Sequence, residues 1–163
     1  MANDADKTGC GLMPPLTLSP TNGCFVCGAA NPRGMYLAFE QDEEARRIRG
    51  RFQLSSDYQG AAGFIHGGII ATLLDEVMSK ANRFRKARAV TAELNVEYLK
   101  PVRVGEDLLV EGWETDSKGR NLFLQGEIRD SAGNLLARGR GRFVDLDAPR
   151  DPHAEESLDS RAK

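Results

Sequence analysis

The stretch that most constrains the fold is Gly63-Phe-Ile-His66-Gly67-Gly68 and the run from Ile69 to Asn82 behind it. From Gly68 onward Ile69, Ile70, Leu73, Leu74, Val77, Met78 and Ala81 recur at three- and four-residue spacing, the stripe of an amphipathic helix. Thr72, Asp75, Glu76, Ser79 and Lys80 fall on the other side and read as its polar face. Two glycines and one of only two histidines in the chain stand at its start. A helix start presents unpaired N–H groups and the positive end of the peptide dipoles. Glycine there leaves those donors open to a ligand oxygen. The stretch therefore reads either as an oxyanion site with a carboxylate further along the same helix, or as a core helix entered through a Gly-Gly turn.

Behind the helix the spacing predicts four long strands, Arg88 to Pro101, Glu106 to Asp116, Arg120 to Asp130 and Asn134 to Asp145, divided by turn residues. Ahead of it, Met35 to Gln41 and Arg46 to Leu54 read as two more strands around Asp42-Glu43-Glu44. In the second of these Ile48 and Phe52 share a face and Arg47, Arg49 and Arg51 the other. In the strand after the helix, Val90, Ala92, Leu94, Val96 and Tyr98 are expected to oppose Thr91, Glu93, Asn95 and Glu97. The last strand sets Ala137, Gly139, Gly141 and Phe143 against Arg138, Arg140 and Arg142. Small residues on one face let a helix approach closely. The arginine face is expected to be solvated and ion-paired, with Glu127 among its partners.

A length of 163 residues suits one domain, with an arm over residues 1–22, a folded domain over 23–147 and a polar tail over 148–163. A formal charge of -2 offers no general attraction to nucleic acid or anionic membranes. No apolar run approaches the ~20 residues of a spanning helix. The N-terminal residues carry no basic-then-apolar leader, so a cytoplasmic location is the expectation. Cys24-Phe-Val-Cys27-Gly28 has metal-like spacing. A structural zinc site takes four ligands, usually as two such pairs, and only Cys10, His153 and His66 remain to complete it. The pair is read as packing, and neither metal nor cofactor is expected.

One helix followed by a run of antiparallel strands resembles the hotdog fold, an α+β architecture in which a bent sheet of about six strands wraps one long helix. The string His66-Gly67-Gly68, then Asp75 nine residues after the histidine, then Thr91-Ala-Glu-Leu-Asn95-Val-Glu-Tyr98-Leu-Lys-Pro101, is similar to the acyl-CoA thioesterases of that superfamily. Gly60-Ala-Ala-Gly-Phe-Ile-His-Gly-Gly is most similar to its thioesterase-superfamily-member-4-like and PaaI-like branch. The resemblance covers Cys24 to Leu146. It implies hydrolysis of an acyl-CoA thioester, no cofactor, and a dimer joined sheet edge to sheet edge, often paired into a tetramer.

The resemblance also implies roles. The Gly67 N–H holds the oxyanion, His66 shapes the turn, Asp75 acts as general base or nucleophile, and Thr91 positions the water or the carboxylate. Gly68 belongs to the same turn. Some relatives place an asparagine six residues before the histidine to hold the substrate carbonyl; here Gly60 stands there, with Gln59 beside it as a substitute candidate. Eight residues of helix separate Gly67 from Asp75, about 12 Å at 1.5 Å per residue, so one thioester cannot use both groups of one chain. If both groups are catalytic, two subunits must contribute. Glu76 is the rival carboxylate, but adjacent helix positions point about 100° apart and the resemblance selects Asp75. Arg83, Arg85, Lys86 and Arg88 read either as a solvated turn or as a platform for the coenzyme A phosphates. The alternatives are a non-catalytic acyl-CoA binder, to which Gly60 lends weight, and a dehydratase or hydratase on the same fold. The acyl group is left open.

Overall fold

The computed structural model describes residues 20–149. The arm over residues 1–22 and the tail over 148–163 lie almost wholly outside that span, as do Cys10 and His153. The elements in chain order are β1 (Glu40–Asp42), β2 (Arg47–Gln53), α1 (Gly67–Ala81), β3 (Ala89–Tyr98), β4 (Asp107–Lys118), β5 (Asn121–Asp130) and β6 (Leu135–Asp145). All six strands form one antiparallel sheet in the order β1-β2-β4-β5-β6-β3. Helix α1 lies across one face and touches β2 to β6. This is the expected hotdog architecture.

What lets the helix lie so close is a row of glycines. Gly112 on β4 pairs with Gly126 on β5, which pairs with Gly139 on β6. A Cβ at Gly112 would stand 2.7 Å from the Val77 carbonyl oxygen, and one at Gly139 3.2 Å from Leu74 Cβ. The helix stripe presses into this row: Leu73, Leu74, Val77, Met78 and Ala81 are all fully buried. Burying each of the large ones contributes ~1.5–3 kcal/mol. Ile48, Val110, Leu124, Ile128 and Phe143 close the core around them. The small-residue face expected for β6 is thus half of a wider device spanning three strands.

The opposite face of β6 is ion-paired. Arg138 reaches Glu127 and Glu97, Arg140 reaches Glu97, and Arg142 reaches Glu93.

Three expectations are corrected. The strand expected over Met35–Gln41 shrinks to Glu40–Asp42, because Met35 and Leu37 donate their N–H groups to the Phe25 and Val26 carbonyls instead of to a sheet neighbour. The clean alternation expected along β3 is broken by a register shift against β6 between Thr91 and Glu93. The extra residue turns Thr91 to the same side as Leu94, Val96 and Tyr98, toward α1, and leaves Val90 half exposed. Finally, Glu76 and Lys80 are not on a solvated face. Lys80 Nζ sits 3.2 Å from Glu76 Oε1, with side-chain exposures of only 8% and 13%.

The glycine row makes a graded prediction. In Gly112→Ala the new methyl meets the Val77 backbone, which cannot yield without moving the helix. Overpacking of this kind costs about 1–3 kcal/mol or more. In Gly126→Ala the nearest atom is the tip of the Leu74 side chain at 3.2 Å, which needs to give by only a few tenths of an ångström and involves no backbone. Denaturant unfolding should show Gly112→Ala as clearly the more destabilised of the two.

Candidate active site

His66 is the N-cap of α1. Its Nδ1 accepts the Gly68 N–H at 2.9 Å, and its carbonyl accepts those of Ile69 and Ile70. Accepting at Nδ1 fixes a neutral ring as the Nε2–H tautomer, so its exposed edge is a donor. Gly67, the first helical residue, donates its N–H to no described residue. That free donor lies where the helix dipole is most positive. The Gly67 carbonyl is held by the Tyr98 hydroxyl at 3.0 Å, and the Tyr98 ring lies against the glycine. The sequence pattern gives Tyr98 no role at the site. Alternation marks it as one more apolar position, and nothing in that pattern says that its hydroxyl returns to the helix start.

The loop before the helix is a tight return. Gln59 and Ile65 form a β-bridge, His66 N–H donates to the Tyr58 carbonyl, and Gly60 N–H to that of Phe64. The His66 ring rests on Gly60, where a Cβ would come within 3.1 Å of His66 Cα. The Gln59 side chain is already engaged, its Oε1 accepting the Gly63 N–H at 2.9 Å. It braces the loop. An open cleft of about 440 Å³ lies between residues 57–59 and the His66, Gly68, Ile69 and Thr72 face of the helix.

Gly68, Thr72 and Asp75 lie four and then three residues apart, so Asp75 continues that face beyond the cleft. Its Oδ1 accepts a hydrogen bond of 2.7 Å from the Thr91 hydroxyl. Only the β3 bulge brings Thr91 to this side. The structure thus joins Asp75 to Thr91 and His66 to Gly67 and Gly68, but keeps the two groups apart along one unbroken helix.

The four cations follow α1 directly and lie at the end opposite His66. The helix spans 15 residues, about 22 Å. Arg85 is bound by Glu114 and Ser117, and Arg88 pairs with Asp147. Arg83 and Lys86 are exposed and have no ion pair among the described residues.

A second cluster surrounds Glu76. Its Oε2 lies 3.8 Å from Cys24 Sγ, and Cys27 is buried beside it. Burial, and then hydrogen bonding and repulsion by Glu76, push the Cys27 thiol up to about 11.

A family model described as the thioesterase superfamily matches residues 62–137, a span that includes the His66 turn, Asp75 and Thr91. Over that span the chain matches the thioesterase superfamily. It is 30% identical over 115 residues to acyl-coenzyme A thioesterase THEM4 of Rattus norvegicus, covering 70% of this chain and 50% of that protein. It is 30% identical over 92 residues to human acyl-coenzyme A thioesterase 13, covering 54% of this chain and 65% of that one. Among solved structures, the thioesterase superfamily protein RHA08564 superposes with a TM-score of 0.72 at 32% identity, covering 77% of this chain and 62% of that chain. The chain spans about half the length of the THEM4 proteins it matches. Among the described residues, no helix is long and apolar enough to cross a membrane.

The cap geometry can be tested without any substrate. His66→Ala removes the acceptor for the Gly68 N–H and should cost ~0.5–2 kcal/mol. His66→Asn supplies another good capping oxygen and should recover most of that loss. Thermal melting of the two variants beside the parent checks both.

Proposed function

We propose that the protein is an acyl-CoA thioesterase whose sites are each assembled from two subunits. One observation carries this reading: a carboxylate held by a hydroxyl and a free N–H at a glycine helix start lie on one helix, too far apart to serve one thioester. The rise from Gly67 to Asp75 is about 12 Å along unbroken helix. A second copy in antiparallel alignment brings its own Asp75 toward the first copy's Gly67. The β3 strand supports such pairing, since only β6 pairs with it among the described residues, and Val90 and Tyr98 on it and Leu99 just after it are exposed. The names of the relatives support the reaction class.

In this reading the thioester carbonyl oxygen points at the Gly67 N–H, with the Nε2–H of His66 as a second donor. Thr91 occupies Oδ1 of Asp75 and leaves Oδ2 to take a proton from water. The water oxygen adds to the carbonyl carbon, and negative charge collects on the oxygen facing Gly67. Collapse expels the coenzyme A sulfur, which takes up the proton, and the free acid departs. Asp75 can instead add to the carbonyl itself and expel the coenzyme A thiolate, which takes a proton from solvent, giving an anhydride that water then cleaves. Both routes require its charge. Arg83 and Lys86 are the cations left to meet the nucleotide phosphates.

A thiol-release assay over short, medium, long and aromatic acyl-CoAs tests the activity and finds the acyl class. On the best substrate, Asp75→Asn should fold and bind but lose at least about 100-fold in kcat, the lower end of what a positioned base supplies. Binding of every acyl-CoA with turnover of none would instead mark a binding protein on the same fold.

A further inference from the structure

We propose that Cys24, Cys27 and Glu76 bind one divalent metal ion of the zinc class, fastening the lead-in over residues 22–35 to the middle of α1. The paired cysteines alone fall short of a metal site; the fold adds a third donor from 52 residues away. One ligand atom from each residue lies within 4.8 Å of the other two. Zinc–sulfur bonds of ~2.3 Å and zinc–oxygen bonds of ~2.0–2.2 Å put tetrahedral ligands about 3.3–3.8 Å apart. Cys24 Sγ and Glu76 Oε2 stand at 3.8 Å already.

The turn that carries the cysteines is shaped for the task. Gly28 N–H closes it on the Cys24 carbonyl at 3.0 Å. A side chain at Gly28 could not fit, because its Cβ would lie 2.4 Å from Asn22 O and Cys24 N. Each sulfur accepts an N–H: Val26 N–H donates to Cys24 Sγ at 3.4 Å, and Asn22 Nδ2 to Cys27 Sγ at 3.6 Å. Such donors steady sulfur that carries negative charge, as metal-bound thiolate does.

Charge also balances. Lys80 holds Glu76 through Oε1, which leaves Oε2 for the sulfur side. A dication with two thiolates is neutral, so a bound ion leaves the buried Glu76–Lys80 pair compensated. Two sulfurs and one carboxylate oxygen suit zinc better than magnesium or calcium, which prefer oxygen alone. With three protein donors, one fewer than a closed structural site takes, the fourth position falls to water on the half-buried Cys24 side. The role is structural, because Asp75 projects about 100° away from Glu76 around the helix. The site does not depend on the thioesterase reading.

Cobalt(II) is the probe. Added to the reduced full-length protein, it should give thiolate-to-cobalt charge-transfer absorption and tetrahedral visible bands, saturating at one ion per chain and displaced by zinc. Zinc should also raise the melting temperature. The Cys24→Ser/Cys27→Ser double variant should fold, by circular dichroism, yet lose the bands and the zinc-induced shift. Glu76→Gln, where it folds, should weaken zinc at least about tenfold. No charge-transfer band from the parent with excess cobalt, or an undiminished band in the double cysteine variant, would overturn the site and leave the two thiols as packing residues.

Discussion

Everything in this fold hangs on how closely α1 can approach the sheet. Gly112, Gly126 and Gly139, paired side by side across β4, β5 and β6, remove the side chains that would hold the helix away. Leu74, Val77 and Met78 fill the space they leave. The helix is thereby fixed in height and rotation against the sheet. Its polar face then has defined neighbours: Asp75 meets Thr91, and Gly67 meets Tyr98, both from β3. Core packing and site geometry are one arrangement.

Periodicity made much of this legible. The helix from Gly67, its buried stripe and the long strands behind it follow from three-, four- and two-residue spacing, within three residues at each end. So do the inward Ile48 and the paired arginines of β6. What stayed hidden were features that spacing does not encode. A bulge adds a residue without altering composition, so the alternation of β3 looks unbroken and Thr91 looks outward. The Glu76–Lys80 pair has the four-residue spacing of a common surface ion pair. Its burial follows from tertiary neighbours, Cys24 of the lead-in and the Phe39 ring over Lys80, and the lead-in is placed by Phe25 and Val26 capturing the N–H groups of Met35 and Leu37.

The charged groups divide the surface by purpose. Arginines on β6 and Arg85 and Arg88 after the helix are matched by carboxylates of the same chain. The hydrogen-bond donors at the helix start, facing a cleft that Asp57 also lines, are of another kind: a neutral imidazole N–H and an unshared backbone N–H. Those suit a transient negative charge better than a permanent one, since neutral donors hold an oxyanion without binding stray anions as strongly as a guanidinium would.

The shared site is the claim on which the mechanism turns, and subunit mixing tests it most directly. Gly67→Pro removes the N–H at the first helical position, where proline's fixed φ is well tolerated and the extended His66 ahead of it is compatible. Asp75→Asn removes the carboxylate's charge. Each variant alone should be nearly inactive. Once exchanged into mixed oligomers, each Gly67→Pro/Asp75→Asn pair of chains should regain one working site of its two, built from the intact Asp75 of one chain and the intact Gly67 of the other. If exchange is demonstrated by differential labelling and activity does not return, each chain must carry its own site, and the two-subunit account is wrong.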